Sequence, residues 1–294
     1  MKYIHIISYL IIIFIISVLF SNIHPIEKYE ENTNIETTND INIQPKYTLS
    51  LLVICKNESI VIDEFIKHYK WQGVEHIYLI DNGSTDNMKE ILNPYIYDGY
   101  ISYYYLEEQH KQIEHYNTVY NEIRYETKWL IICDADEYIY NKNKEENIAT
   151  YVNSIDYNSI AYILLNWKMF GSSNYKIQPV NNIRTSFTWR KKDIHELYKS
   201  IINTKLTYKL GVHDHEYDKI INNGIKNPSE LALNHYAIMS EEYFKKVKMQ
   251  RGDVHHSEKK FQNIRDMNYF NAYDYKEEYD DELKNLTLFS IPAV

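Results

Sequence analysis

From Tyr47 onward the chain alternates between short, unbroken apolar runs and longer stretches whose apolar positions recur at helical spacing. Thr48-Leu-Ser-Leu-Leu-Val-Ile-Cys55 is almost wholly apolar and gives way abruptly to Lys56-Asn57-Glu58, the pattern of a strand covered on both faces and opening at its C-terminal end. Ile60, Phe65, Ile66, Tyr69 and Trp71 then form a helical stripe, and Gly73 stands where a left-handed residue closes a helix. His76 to Ile80 predicts a second strand. It ends in Asp81-Asn-Gly-Ser-Thr-Asp86, a turn in which Ser84, Thr85 or Asp86 can cap a helix beginning near Met88. Tyr100 to Tyr105 predicts a third strand, Glu107 to Tyr125 a polar loop leading into a helix, and Lys128-Trp-Leu-Ile-Ile-Cys133 a fourth strand closing in Asp134-Ala-Asp-Glu137. This alternation predicts an α/β fold with a mostly parallel central sheet flanked by helices. Such sheets bind ligands beyond the carboxyl ends of their strands, so the three polar exits are expected to share one edge.

The segment before Tyr47 has a different character. Tyr3 to Phe20 carries no formal charge and is long enough to cross a hydrocarbon core of about 30 Å. Lys2 precedes it, and Glu27, Glu30 and Glu31 follow with only Lys28 to offset them, which predicts a transmembrane helix with residues 1–2 on the cytoplasmic side. A cleaved signal peptide is the alternative, although Ser-Val-Leu-Phe-Ser-Asn lacks a small-x-small cleavage site. Residues 21–46, rich in Asn, Thr and Glu, read as a stem, 47–285 as the folded domain and 286–294 as a tail. The expected topology is that of a type II single-pass membrane protein whose domain lies in the Golgi or ER lumen or outside the cell.

Composition narrows the chemistry. With 44% apolar and 25% charged residues the chain can bury a sizeable core, so disorder throughout is excluded. Seven glycines leave almost no material for phosphate-binding glycine loops. A net charge of −9 gives no footprint for a nucleic-acid backbone, so no nucleic-acid partner is expected. Two cysteines, both inside apolar runs, exclude a disulfide framework and a cysteine-rich zinc site. The thirty tyrosines, accompanied by abundant Ile and Asn, read as AT-rich coding rather than as a cofactor site.

The candidate chemistry lies at the fourth strand. Asp134 and Asp136, two apart in extended geometry, point to one side. Two hard oxygen donors there can hold Mg²⁺ or Mn²⁺, with water and substrate phosphates completing the shell. The use of such a cation is to neutralise charge on a departing phosphate. A D-x-D alone is common in solvated turns; its place after a buried strand, beside a second acidic turn, makes it a candidate site.

Val53-Ile-Cys-Lys-Asn-Glu58, His68-Tyr69, Gly73-Val74, Ile77-Tyr-Leu-Ile-Asp-Asn-Gly-Ser-Thr-Asp86 and Lys128 through Ile139 together resemble glycosyltransferases of the GT-A fold, most nearly family 92 and the related family 2 group. Trp167-Lys-Met-Phe-Gly-Ser-Ser173, Lys199-Ser-Ile-Ile202, His213-Asp-His215, Asn234-His-Tyr236 and Ser240-Glu-Glu-Tyr-Phe-Lys-Lys246 extend the resemblance over about residues 48 to 283. It implies inverting transfer from a nucleotide-sugar, a UDP-sugar and at family level UDP-galactose, to a glycan or glycoprotein acceptor. It implies that Asp81 contacts the nucleotide base, that Glu58, Ser84 and Asp86 line or support that pocket, and that Asp134 and Asp136 bind the metal, Mn²⁺ or Mg²⁺, and the diphosphate. Glu137 would bind the metal through water or orient the acceptor. A histidine would join the metal, with His213 preferred over His215 and His235; His213 and His215 are expected to alternate in a strand and point the same way. Trp167 and Phe170 would face the acceptor sugar, or else belong to the core. For the catalytic base the acidic residues available are Asp193, Glu196, Asp214 and Glu216, and Asn181 to Lys192 lacks the glutamate of the family pattern.

Two other readings compete. A haloacid-dehalogenase-type phosphotransferase also places D-x-D after a buried strand, but there the strand is the first of the fold. A GT-A-like binding module without catalysis would retain the fold alone. Sequons occur at Asn57, Asn82 and Asn285; the first two fall in the proposed nucleotide pocket, leaving Asn285 as the expected glycan acceptor.

Overall fold

The structure, a computed structural model, describes residues 44–180, 182–251 and 265–290. The expected membrane helix at 3–20, the cytoplasmic end and nearly all of the stem lie outside these residues. Among the described residues no helix is long and apolar enough to cross a membrane.

The first half follows the predicted alternation. Strand β1 (Tyr47–Cys55), helix α1 (Ile62–Trp71), β2 (His76–Asp81), α2 (Met88–Tyr97), β3 (Ile101–Tyr105), α3 (Gln112–Ile123) and β4 (Thr127–Ile132) succeed one another. Successive side chains of a strand face opposite ways, and here each face has its own helix to cover it. Leu49, Leu51 and Val53 of β1 join Trp129 and Ile131 of β4 under Ile62, Phe65, Ile66 and Tyr69 of α1. Leu52, Ile54, Leu130 and Ile132 instead meet Tyr116, Val119, Tyr120 and Ile123 of α3. Each large apolar side chain fully buried in this way contributes about 1.5–3 kcal/mol, and that is why the runs tolerate no polar interruption beyond Ser50. Gly73 closes α1 with φ +81°, the conformation expected of it.

The second half supplies β5 (Glu137–Asn141), α4 (Ile148–Asn153), β6 (Tyr162–Met169), α5 (Ile183–Ser186), β7 (Trp189–Arg190), β8 (Tyr198–Asn203), β9 (Thr207–Lys209), β10 (Glu216–Tyr217), β11 (Gly224–Lys226) and β12 (Leu231–His235). It ends in α6 (Glu241–Tyr243), a π-helical segment Phe244–Lys248, α7 (Met249–Arg251), α8 (Met267–Tyr273), β13 (Glu278–Tyr279) and α9 (Glu282–Ser290). The main sheet runs β3-β2-β1-β4-β8-β6-β12-β5, with β11 also on β6. Its β1, β2, β3 and β4 pair in parallel, as do β6 with β11 and β12. Strand β8 enters antiparallel between β4 and β6, and β5 is an antiparallel edge on β12. The sheet is therefore mixed, with parallel pairings in the majority. Because β6 and β12 still run in the direction of β4, all of these strands discharge toward one edge.

One expected strand is absent. His213 and His215 lie in a loop before β10, tightened by the Gly211 N–H donating to His215 Nδ1 at 3.1 Å. Their side chains accordingly go to different partners. His215 Nε2 meets Ser200 Oγ at 2.9 Å, and His213 Nδ1 meets the Tyr198 carbonyl at 2.8 Å. The C-terminal segment is fastened to β6 and β7 by ion pairs: Lys168 with Asp280 and Glu282, and Arg190 with Asp280 at 2.8 Å. Gly171 lets the chain pass close beneath it, since a Cβ there would lie 2.3 Å from the Tyr275 carbonyl oxygen.

Candidate active site

The exits of β1 and β2 are laced together by side chains from the turn that follows β2. Ser84 Oγ accepts the Asn57 N–H at 2.9 Å, Asp86 Oδ2 accepts the Ser59 N–H at 2.9 Å, and Asn57 Oδ1 accepts the Thr85 N–H at 2.7 Å. Asp86 Oδ1 also accepts the Met88 N–H at 3.2 Å, so of the three capping candidates Asp86 serves α2. Asp81, 2% exposed, accepts from the Ser84 N–H and from the Tyr103 hydroxyl. Asp81, Ser84 and Asp86 thus build the loops, while Lys56, Glu58 and Asn82 beside them line the adjoining cavity.

That cavity, of ≈540 Å³, lies at the carboxyl edge of the sheet. Asp134 and Asp136 form part of its wall. They do so through a turn rather than by strand alternation, because the Glu137 N–H closes back on the Asp134 carbonyl at 3.0 Å. Each aspartate has a buried lysine. Lys199 on β8, 1% exposed, donates to Asp134 Oδ2 at 2.9 Å and lies 3.6 Å from Glu137 Oε2. Lys248, 2% exposed at the end of the π-helical segment, donates to Asp136 Oδ2, and His235 Nε2 stands 3.7 Å from the same oxygen. Burial opposes ionisation of Asp136, but the Lys248 and His235 contacts outweigh it and hold the carboxyl well below the usual range. Asp134 is held down in the same way by Lys199.

Glu137 is wholly buried, and burial pushes its carboxyl well up. Its Oε2 accepts the Asp134 N–H at 2.8 Å, so it fixes the turn and does not face an acceptor. Glu58, 1% exposed, takes Arg251 Nη1 and the Tyr243 hydroxyl on its two oxygens, which draws the segment 243–251 over the β1 exit.

Next to His235 on the cavity wall, Trp167 is surrounded by imidazoles: its ring centroid lies 4.4 Å from that of His235 and 5.4 Å from those of His195 and His213. All four line the cavity. Phe170, 1% exposed, packs on Tyr236 and belongs to the core. Asp193 and Glu196 are exposed and do not line the cavity. Asp214 lines a smaller adjoining cavity of ≈220 Å³ and accepts from the Tyr198 hydroxyl, while Glu216 pairs with Lys209 at 3.0 Å. The four acidic candidates for the base are therefore not brought to the D-x-D turn, because the loop from 191 to 197 and the loop before β10 present backbone and histidine there.

Among the described residues no group of three or more His, Cys, Asp or Glu is arranged as a ready-made metal cage. The donor set nevertheless fits a divalent cation of the type held by one or two carboxylates with substrate phosphates and water. Lys199 and Lys248 engage Oδ2 of each aspartate, and among the described residues no hydrogen bond is made to either Oδ1. His235, whose buried Nδ1 has no hydrogen-bond partner among the described residues, is the imidazole at Asp136. His213 reaches the same cavity from the Trp167 side.

Sequence reasoning passed over Lys199, Lys248, Arg251 and Arg265. The signal for Lys199 was present, a lone charge at the start of an otherwise buried strand; Lys248 sat in a lysine-rich stretch that reads as a solvated helix face.

An α/β sheet that gathers carboxylates, cations and an aromatic wall at its strand exits is built to receive a small charged ligand. The model of glycosyltransferase family 92 matches residues 56–284, and the chain belongs to that family. A glycosyltransferase family 92 protein of Ricinus communis is 25% identical over 240 residues, which are 76% of this chain and 39% of that protein. The chain thus spans about two fifths of the length of that curated relative. Among solved structures, S. aureus TarS 1–349 in complex with UDP shares 20% identity at a TM-score of 0.35, over 45% of this chain and 38% of TarS. Glucosyl-3-phosphoglycerate synthase from Mycobacterium tuberculosis, in complex with Mn²⁺, UDP and glucosyl-3-phosphoglycerate, shares 14% identity at a TM-score of 0.27, over 42% and 44% of the two chains.

Proposed function

We propose that the protein transfers a sugar from a UDP-sugar to a glycan or glycoprotein acceptor, with inversion and with a divalent cation, Mn²⁺ or Mg²⁺. The observation that carries this is one cavity whose wall holds Asp134, Asp136 and two arginines together with a tryptophan ringed by histidines. Asp134 and Asp136, fixed in position by Lys199, Lys248 and the Glu137 contact to the Asp134 backbone, would hold the cation, which would supply positive charge for a departing diphosphate. Asn82, Lys56 and Glu58, on the β1 and β2 exits, border the nucleotide side, with Asp81 supporting the turn behind them. Trp167 offers an apolar face for the acceptor ring.

His213 is the group we assign to the acceptor proton. The Tyr198 carbonyl can only accept, so Nδ1 donates and proton transfer at His213 would fall to Nε2. The membrane topology expected from residues 1–46 would place this domain on the lumenal or extracellular side.

The test is a screen of nucleotide-sugars for UDP release, in wild type and in a double variant carrying Asp134→Ala and Asp136→Ala. Turnover confined to wild type supports the reading. Aspartyl-phosphate trapped at Asp134 would support a phosphotransferase instead.

A further inference from the structure

Two lysines, Lys199 and Lys248, stand behind the D-x-D turn. Both are buried, both end on a carboxylate that lines the cavity, and one comes from a π-helical segment, a local irregularity that costs regular hydrogen bonding and recurs at functional sites. Among the described residues, five cations, Lys56, Lys199, Lys248, Arg251 and Arg265, stand in and directly behind the cavity against three carboxylates, Glu58, Asp134 and Asp136, and the buried carboxyl of Glu137. Glu58 occupies Arg251. Arg265 Nη1, by contrast, is buried with no hydrogen-bond partner among the described residues, and Arg265 lines the cavity. This is a site poised for an anion, and it is a poor one for a bare dication. At a few ångströms an ammonium group repels a divalent ion as strongly as a carboxylate attracts it, and little water separates these groups.

We propose that Lys199 and Lys248 are resident counter-ions that prevent the D-x-D turn from retaining a divalent cation by itself, so that cation and donor diphosphate are taken up together, with Arg265 receiving part of the diphosphate charge. This rests on the UDP-sugar reading. The diphosphate supplies the negative charge that the lysines have cancelled, and the coupling is reciprocal: UDP tightens Mn²⁺ by the factor by which Mn²⁺ tightens UDP. The consequence is that the product cation leaves with UDP instead of remaining on the protein.

The experiment titrates the full chain with Mn²⁺ alone, UDP alone and Mn²⁺ at saturating UDP, reading bound Mn²⁺ by electron paramagnetic resonance and UDP by calorimetry. Wild type is expected to hold Mn²⁺ at least about a hundredfold more weakly without UDP than with it, a coupling of about 2.7 kcal/mol. Lys248→Met or Lys199→Met is expected to tighten Mn²⁺ alone by about tenfold or more, and Lys248→Arg, which keeps the charge, to leave it weak. The lysine at 248 could also be needed for folding, so Lys199→Met, whose carboxylate partner is part-exposed, provides the independent arm. Tight Mn²⁺ binding without UDP in wild type, or unchanged Mn²⁺ affinity in both methionine variants while UDP still binds, overturns the counter-ion role alone. Failure of UDP to bind in any arm overturns the UDP-sugar reading and this proposal with it.

Discussion

The two aspartates of the D-x-D turn are predicted to differ in what they do for stability, although both are assigned to the same chemistry. In Asp136→Asn the side chain keeps its shape and an acceptor oxygen, but Lys248, 2% exposed, loses the only carboxylate it touches among the described residues. Removing one member of a buried pair costs about 3–5 kcal/mol because the other charge is left in a medium that solvates it poorly; the retained amide oxygen places this case near about 3 kcal/mol. Asp134 differs on both counts. Its side chain is 37% exposed, and Lys199 keeps Glu137 at 3.6 Å, so Asp134→Asn is expected to cost about 1 kcal/mol or less. For a domain of this size each kcal/mol moves Tm by about 2–4 °C, giving about 6–12 °C for Asp136→Asn and under about 4 °C for Asp134→Asn. Thermal unfolding followed by circular dichroism, without metal or nucleotide, makes the comparison. Raising the pH should restore part of the loss in Asp136→Asn, since an unpaired buried ammonium can release its proton. Equal shifts for the two variants, or a larger one for Asp134→Asn, would refute the assignment of Lys248 as a buried partner of Asp136.

Three further outcomes follow from individual side chains. Burial, with Lys199 nearby, pushes the His215 imidazole down to about 4, so its contribution to stability is complete above about pH 6.5 and is lost as pH falls toward 4, a change of about 3 kcal/mol; urea midpoints measured from pH 7 to 4 should show this slope, and His215→Gln should flatten it. His213→Gln should lower kcat by about a hundredfold with the KM for the donor nearly unchanged; a normal kcat would dismiss His213 as the base. Asn285 is exposed on α9, whereas Asn57 and Asn82 are engaged in the loops at the strand exits, so intact mass after glycosidase treatment should show glycan at Asn285 and none at Asn57 or Asn82.

Strand and helix periodicity carried the first half of the fold because its sheet is covered on both faces: β1, β2 and β4 must be apolar along their length, and the change to Lys56, Asp81 and Asp134 marks where the cover ends. The second half was less legible. Strand β8 enters antiparallel beside β4, and nothing local in Tyr198–Asn203 distinguishes that direction from a parallel one. The site divided along the same line. Asp134, Asp136, Glu58 and Trp167 were visible as polar or aromatic residues at strand exits, and the structure places all four on the cavity wall. Glu137 and Phe170 shared those short motifs but turn into the interior, since a turn at 134–137 and the pairing of β6 decide which neighbour faces outward. The bases were sought among carboxylates because inversion calls for one; the loops carrying Asp193, Glu196 and Asp214 present their acids elsewhere. Lys199 and Lys248 meet the aspartates only through contacts 65 and 112 residues apart, which no local pattern encodes.

The most direct measurement of the central claim is a crystal structure of the protein with UDP and Mn²⁺. The account predicts the diphosphate between the Asp134–Asp136 turn and Arg265, the base beside Asn82 and the β1 exit, and open space toward Trp167 for the sugar and acceptor. UDP bound away from this cavity, or within it with the diphosphate away from the Asp134–Asp136 turn, would contradict this reading.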